Sequence, residues 1–102
     1  MRGVATIARN GRARFNAQDA EGVGITDRAT ILIDRDAKRI GIRAPRAGES
    51  PRIMKRTARS KSPDVWIGGA MLKIGIRASV NSGLHEVAIE NGVLIIDFSG
   101  AE

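Results

Sequence analysis

A chain of 102 residues, 42% of them hydrophobic, has room for one compact domain or two very small ones and is too apolar to be disordered throughout. It contains no cysteine, which excludes disulfides and thiolate metal sites and indicates a reducing, cytoplasmic compartment, and no run approaches the roughly 20 apolar residues of a membrane helix. The net charge of +6 makes an anionic polymer the first partner to consider.

The first predicted element is a basic strand that begins at Asn10 and leads to Asn16, with residues 1–9 as an extension of the same strand. Because side chains alternate along a strand, Arg12 and Arg14 share one face and the residues between and after them turn to the core. These arginines are candidates for contact with nucleic acid. The alternative is an edge strand that its charges protect from aggregation.

A short helix is predicted next. Asn16 is a good N-cap, so the helix begins at Ala17, and Asp19 places negative charge in the first turn. The helix cannot run long, because Gly22 and Gly24 favour the left-handed conformation that ends helices.

A β-hairpin follows, with strands at 29–33 and 39–43 around a charged turn. Asp34 and Asp36 in this turn are predicted to form local ion pairs in solvent, since acid–base catalysis requires carboxylates whose pKa values are separated by burial. Gly41 indicates a bulge or a close approach of neighbouring backbone.

The order of these features resembles the AbrB/MazE-type swapped-hairpin DNA-binding domain. The matching features are Gly11-Arg12, a strand, a six-residue helical turn, Val23-Gly24-Ile25 and a strand pair that ends in Ile40-Gly41-Ile42-Arg43. The family has Ile-Pro where this chain has Phe15-Asn16, and asparagine also caps a helix. The resemblance covers about residues 1–46. It implies that two chains interlace their hairpins and that Arg9, Arg12 and Arg14 enter the DNA groove.

The composition changes between residues 45 and 64, which hold all three prolines and six Lys or Arg against two acids. This predicts a basic linker or extended arm at 47–64, with Ile53 and Met54 attaching it to the body of the protein. Such arms become ordered on phosphates. The alternative is a mobile connector without a partner.

A second unit is predicted at 65–102: a strand at 65–67, a helical turn at 68–73 and a hairpin at 87–98 whose Asn91-Gly92 favours a type I′ turn. Ile74-Gly75-Ile76 repeats Val23-Gly24-Ile25. The halves are therefore a pseudo-repeat, or they have converged on the same hairpin pattern.

The predicted fold is mainly β with short helices, a β-rich α+β protein with two hairpin units of the swapped-hairpin type. Its domains are 1–46, the arm at 47–64 and the second unit at 65–102. With only three aromatic residues the core must be small and aliphatic, and such a core is often completed by a second copy, so we expect a homodimer.

The basic charge belongs to the first two thirds of the chain. Residues 1–64 hold 15 of the 17 Lys and Arg and 7 of the 11 Asp and Glu, a net of +8, whereas residues 65–102 have a net of −2. The second unit therefore suits packing or a protein partner. The residues predicted to contact DNA are Arg9, Arg12, Arg14, Asn16, Arg46, Arg52, Lys55, Arg56, Arg59 and Lys61. The alternative is a surface whose charge serves solubility alone.

No catalytic pattern is present in the sequence. His85 is the only histidine, and its neighbours Ser82 and Glu86 lie in one polar stretch, so a surface histidine is expected. We therefore predict no cofactor, no metal and no enzymatic activity. The expected function is a sequence-preferring DNA-binding protein, a small transcriptional regulator or an antitoxin-like repressor. The alternative is a phage- or mobile-element-encoded protein that inhibits another protein or serves as a structural subunit.

Overall fold

The computed structural model describes residues 2–57 and 60–101. It has nine strands within these residues: β1 Arg2–Ile7, β2 Arg12–Phe15, β3 Arg28–Asp34, β4 Arg39–Arg43, β5 Arg52–Ile53, β6 Lys55–Thr57, β7 Ser60–Trp66, β8 Gly83–Glu90 and β9 Val93–Asp97. The helices are α1 Ala17–Gly22, α2 Gly68–Lys73 and a 3₁₀ turn, Ala78–Val80. Neither α-helix is long and apolar enough to cross a membrane. The predicted β-rich α+β class is confirmed.

Local signals placed several elements correctly. The Oδ1 of Asn16 accepts the Gln18 amide at 2.8 Å, which confirms the predicted cap of α1. At the β8–β9 turn, Asn91 and Gly92 both have positive φ, 51° and 77°, as a type I′ turn requires. Gly41 differs from its prediction, because its register is unbroken and its close neighbour is a side chain: a Cβ there would lie 3.0 Å from Cγ1 of Val93.

The strands form one antiparallel sheet in the order β5-β3-β4-β9-β8-β1-β2-β7-β6. Strands from the two halves of the chain alternate in it: β1 pairs with β8, β2 with β7, and β4 with β9. The units predicted at 1–46 and 65–102 thus share one sheet and one core. The order strand, short helix and hairpin occurs twice, as β2-α1-β3-β4 and as β7-α2-β8-β9.

Residues 52–57 close the sheet almost into a barrel. Their first part, β5, pairs with β3, and their second part, β6, pairs with β7. Between the two, the Met54 amide donates to the Asp27 carbonyl at 2.8 Å and the Met54 side chain is buried. One short segment therefore pairs with both sheet edges, with β7 on one side and with the start of β3, Arg28 and Ala29, on the other.

The segment predicted as an extended arm differs from that expectation, because β5, β6 and most of β7 lie within 47–64. Its prolines do not prevent pairing. Pro63 lies where the register between β6 and β7 shifts, between the pairs Lys55–Asp64 and Thr57–Ser60, and a bulge of this kind tolerates the missing amide.

The core is aliphatic, as expected, and lies inside the curved sheet beneath both helices. The largest fully buried side chains include Phe15 and Phe98. His85 was predicted to be on the surface, but it is half-buried, with its ring centroid 5.3 Å from that of Phe98.

Because both halves of one chain complete this core, folding should not require a second copy. We expect the midpoint of urea unfolding to stay constant over about a hundredfold range of protein concentration. Circular dichroism at several concentrations measures it. A midpoint that rises with concentration would mean that the subunit is folded only as an oligomer.

Candidate nucleic-acid interface

The outer surface of β2, β7 and β6 forms the basic face, defined here as Arg12, Arg14, Lys55 and Asp64 together with Arg52 at its rim. On β2, Ala13 and Phe15 are buried, so the arginines point outward, as the alternation predicted. Asp64 on the middle strand is in register with Arg14 on one side and Lys55 on the other. Directly opposed residues share a face, so these charges lie side by side.

Arg12 is occupied by an ion pair within the protein. Its Nε donates to Oδ1 of Asp64, and its Nη2 donates to the Asp64 backbone carbonyl at 3.3 Å. Both side chains are largely buried, at 26% and 14% exposure. Arg12 therefore joins β2 to β7 and neutralises the one carboxylate of the basic face.

Arg14 and Lys55 remain available to a ligand. Both side chains are exposed, and within residues 2–57 and 60–101 neither makes a hydrogen bond or an ion pair. A cleft of about 360 Å³ beside Arg14 is also lined by Thr6, Asn10 and Asp64. With Arg12 and Arg52 included, the basic face holds four cations against one carboxylate, a net of +3.

Trp66 lies at the rim of the basic face, and sequence analysis missed it as a functional residue. Its indole Nε1 donates to the Asn10 carbonyl at 2.8 Å, and 39% of the residue is exposed. The signal in the sequence was the alternation of side chains along the strand predicted at 65–67. Val65 and Ile67 are buried in the structure, so Trp66 between them points outward. Arg52 lies over this ring, with its guanidinium carbon 5.5 Å from the ring centroid.

A network of hydrogen bonds to the Glu49 carboxylate, called here the Glu49 network, fixes the loop that leads to Arg52. Glu49 accepts hydrogen bonds from the Arg43 guanidinium, from Oγ1 of Thr30 at 2.9 Å and from the Arg46 amide at 2.6 Å. The Arg43 hydrogen bonds, followed by that of the Arg46 amide, lower the pKa of Glu49 to about 2. The loop is thereby held next to Trp66, since Glu49 and Arg52 line the same cleft.

None of the other predicted contacts among the described residues lines the clefts beside Arg14 and Trp66. Arg9 is exposed in the β1–β2 turn, Lys61 is exposed on β7, and Arg46 is exposed in the loop after β4. Two more of the predicted residues make hydrogen bonds within the protein: the Asn16 side chain caps α1, and Nη1 of Arg56 donates to the Thr26 carbonyl at 2.9 Å. Arg59 lies outside the described residues.

A second outer surface carries the opposite charge. On β4, β9 and β8 a cleft of about 360 Å³ is lined by Glu86, Glu90 and Asp97 against Arg2 and Arg39. Its net charge of −1 contrasts with the +3 of the basic face. The uneven charge along the sequence thus becomes an uneven charge around the sheet.

Comparisons with models of known protein families, with curated proteins and with solved structures find no match to this chain.

The Glu49 network should make the fold sensitive to acid. Because the folded pKa of Glu49 lies near 2, below the 4.5 of an ordinary glutamate, its contribution to stability is present above pH 4.5 and is lost as the pH falls toward 2. We expect Glu49→Gln to be less stable than the wild type at neutral pH. Between pH 4.5 and 2, the free energy of unfolding of this variant should fall by less than that of the wild type. Urea unfolding at several pH values measures this.

The matched control is Glu90→Gln, which removes a carboxylate without a hydrogen-bonding partner in the described part of the chain. It should behave as the wild type does. Equal acid losses in the wild type and in Glu49→Gln would show that the network does not control this window.

Proposed function

We propose that this protein binds DNA through the basic face and acts as a sequence-preferring binding protein, such as a small transcriptional regulator or an antitoxin-like repressor, rather than as an enzyme. The observation that carries the proposal is the grouping of Arg14, Lys55 and Arg52 on one outer surface, with Asp64 already neutralised by Arg12. Phosphates are attracted to such a surface, and an ordered strand can hold side chains at fixed positions against DNA.

The resemblance of residues 1–46 to the swapped-hairpin DNA-binding domain supports this proposal. In that family two chains interlace their hairpins. Here β2 pairs with β7 and β4 pairs with β9, so strands of the two halves of one chain interlace in a similar way. We propose that the second half takes the place of a second chain in forming the binding unit. A homodimer of whole chains stays a prediction, and light scattering tests it.

The alternative, a protein-binding inhibitor or structural subunit, is favoured by one observation. Leu32 and Ile33 are exposed on the outer part of β3, and they line a shallow cleft of about 310 Å³ with Val93 and Ile95 of β9. Such a surface suits an apolar contact that salt does not weaken. The salt dependence of binding therefore separates the two functions.

The basic face sets a salt dependence that can be measured. Three cations, Arg14, Lys55 and Arg52, are free of intramolecular ion pairs within the described residues, so about three counterions should be released from duplex DNA and the slope of log K against log salt should be about −3. Arg14→Ala should reduce that slope by about 1. A mobility-shift assay with a salt titration provides both values.

The control for Arg14→Ala is Arg77→Ala, which removes an exposed arginine before the 3₁₀ turn and outside the basic face. If the two variants lower affinity equally, net charge rather than the basic face is responsible. If wild-type binding is independent of salt, the protein-binding alternative replaces the proposal.

Asp64 gives a test in which binding should improve. Asp64→Asn keeps an oxygen for Arg12 but removes the negative charge from the centre of the basic face. We expect DNA affinity at low salt to rise about fivefold, the effect of roughly 1 kcal/mol for one charge at short range in water. Glu90→Gln adds the same net charge on the acidic surface and should change affinity less than about twofold. Equal gains in both variants would argue against the assigned face.

A further inference from the structure

Phosphate attraction does not account for the exposed aromatic ring at the rim of the basic face. Trp66 is 39% exposed, although the chain has only three aromatic residues and the other two are buried at 1%. A large ring that stays partly in water, with only the exposed Arg52 over it, is a surface on which a ligand can still be packed.

The ring is held in a fixed position. The hydrogen bond from Nε1 to the Asn10 carbonyl holds its edge. Three glycines lie against it: a Cβ at Gly68 would lie 2.8 Å from Nε1, a Cβ at Gly69 would lie 3.2 Å from Cη2, and a Cβ at Gly11 would lie 3.0 Å from Nε1. Backbone therefore supports the indole where side chains would displace it. Such a ring loses little conformational freedom when a ligand binds.

Positive charge lies beside the ring in two clefts. One cleft is lined by Arg12 and Lys55, and the other, about 370 Å³, is lined by Lys73 and by the ion-paired Glu49. Arg52 lines both clefts, and its exposed guanidinium lies over the ring. An aromatic ring beside cations is the combination with which proteins bind single-stranded nucleic acid.

We propose that Trp66 is a stacking platform for an unpaired nucleobase and that the basic face therefore prefers single-stranded to duplex DNA. Both faces of a base inside a duplex are already stacked, so a ring fixed on a strand can stack only on a base that is unpaired. On binding, the base displaces Arg52 from the ring to the edge of the base, and Lys55 and Lys73 contact the flanking phosphates. This inference rests on the proposed function, because it requires the basic face to bind DNA.

The chain itself provides the probe. Trp66 is the only tryptophan and the chain has no tyrosine, so its fluorescence reports on this ring alone. We expect an oligothymidine of about ten nucleotides to quench the emission on binding, and a mixed-sequence duplex of the same length to bind about 5- to 150-fold more weakly at the same salt, with little quenching.

Two substitutions test whether the ring is responsible. Trp66→Leu should lower affinity for the oligothymidine about 5- to 150-fold and leave duplex affinity unchanged, measured by fluorescence anisotropy of labelled DNA. Trp66→Phe keeps an aromatic face and should retain most of the single-strand affinity. Circular dichroism checks the fold of both variants. If Trp66→Leu is unfolded, the quenching of the wild type and its preference for the single strand decide the question alone.

Two contrary results have different meanings. Binding of duplex and single strand with equal affinity and no quenching would overturn the stacking platform and leave the proposed function intact. If neither the single strand nor the duplex binds, both the stacking platform and the proposed function are overturned.

Discussion

Closure of the sheet by residues 52–57 is the constraint on which the rest of the molecule depends. An open sheet would expose the unpaired backbone of β3 on one edge and of β7 on the other. The single segment pairs with both, and Met54 seals the join from the inside. Because its inward side is used for closure, its cations face outward: Lys55 is paired with β7, and Arg52, on the part that pairs with β3, lies over the Trp66 ring of β7. The same backbone pairing that completes the core therefore assembles the basic face.

Several local elements of this fold could be predicted from the sequence because short-range interactions determine them. The cap at Asn16, the short helix after it and the type I′ turn at Asn91 depend on neighbouring residues, so their signals are contained in a few positions. Long-range pairing is different. Alternation tells which face of β2 is buried but not that β7 lies beside it. The composition of residues 47–64, rich in proline and serine, predicted no strands there, and its strands form because the two sheet edges provide partners.

The difference between local signals and long-range pairing also explains which parts of the basic face could be predicted. The outward direction of Arg12 and Arg14 follows from alternation, and the burial of Ala13 and Phe15 confirms it. The ion pair of Arg12 depends on a residue 52 positions away, which only the register of β2 against β7 brings close. Trp66 was missed because the second unit, with its net charge of −2, was assigned to packing or a protein partner, although the middle residue of the predicted strand at 65–67 faces opposite to its neighbours.

Asp64 shows why the basic face can exist before any ligand binds. Arg14 and Lys55 lie opposite the same residue of β7, on the two strands that flank it, so their like charges are about two strand spacings apart and repel each other across Asp64. The carboxylate between them reduces that repulsion, and Arg12 holds it in place. Because four cations surround this one carboxylate, the basic face keeps a net charge of +3 and still attracts an anion. A phosphate arriving there would add a second source of neutralisation, and binding would stabilise the strands that the ion pair joins.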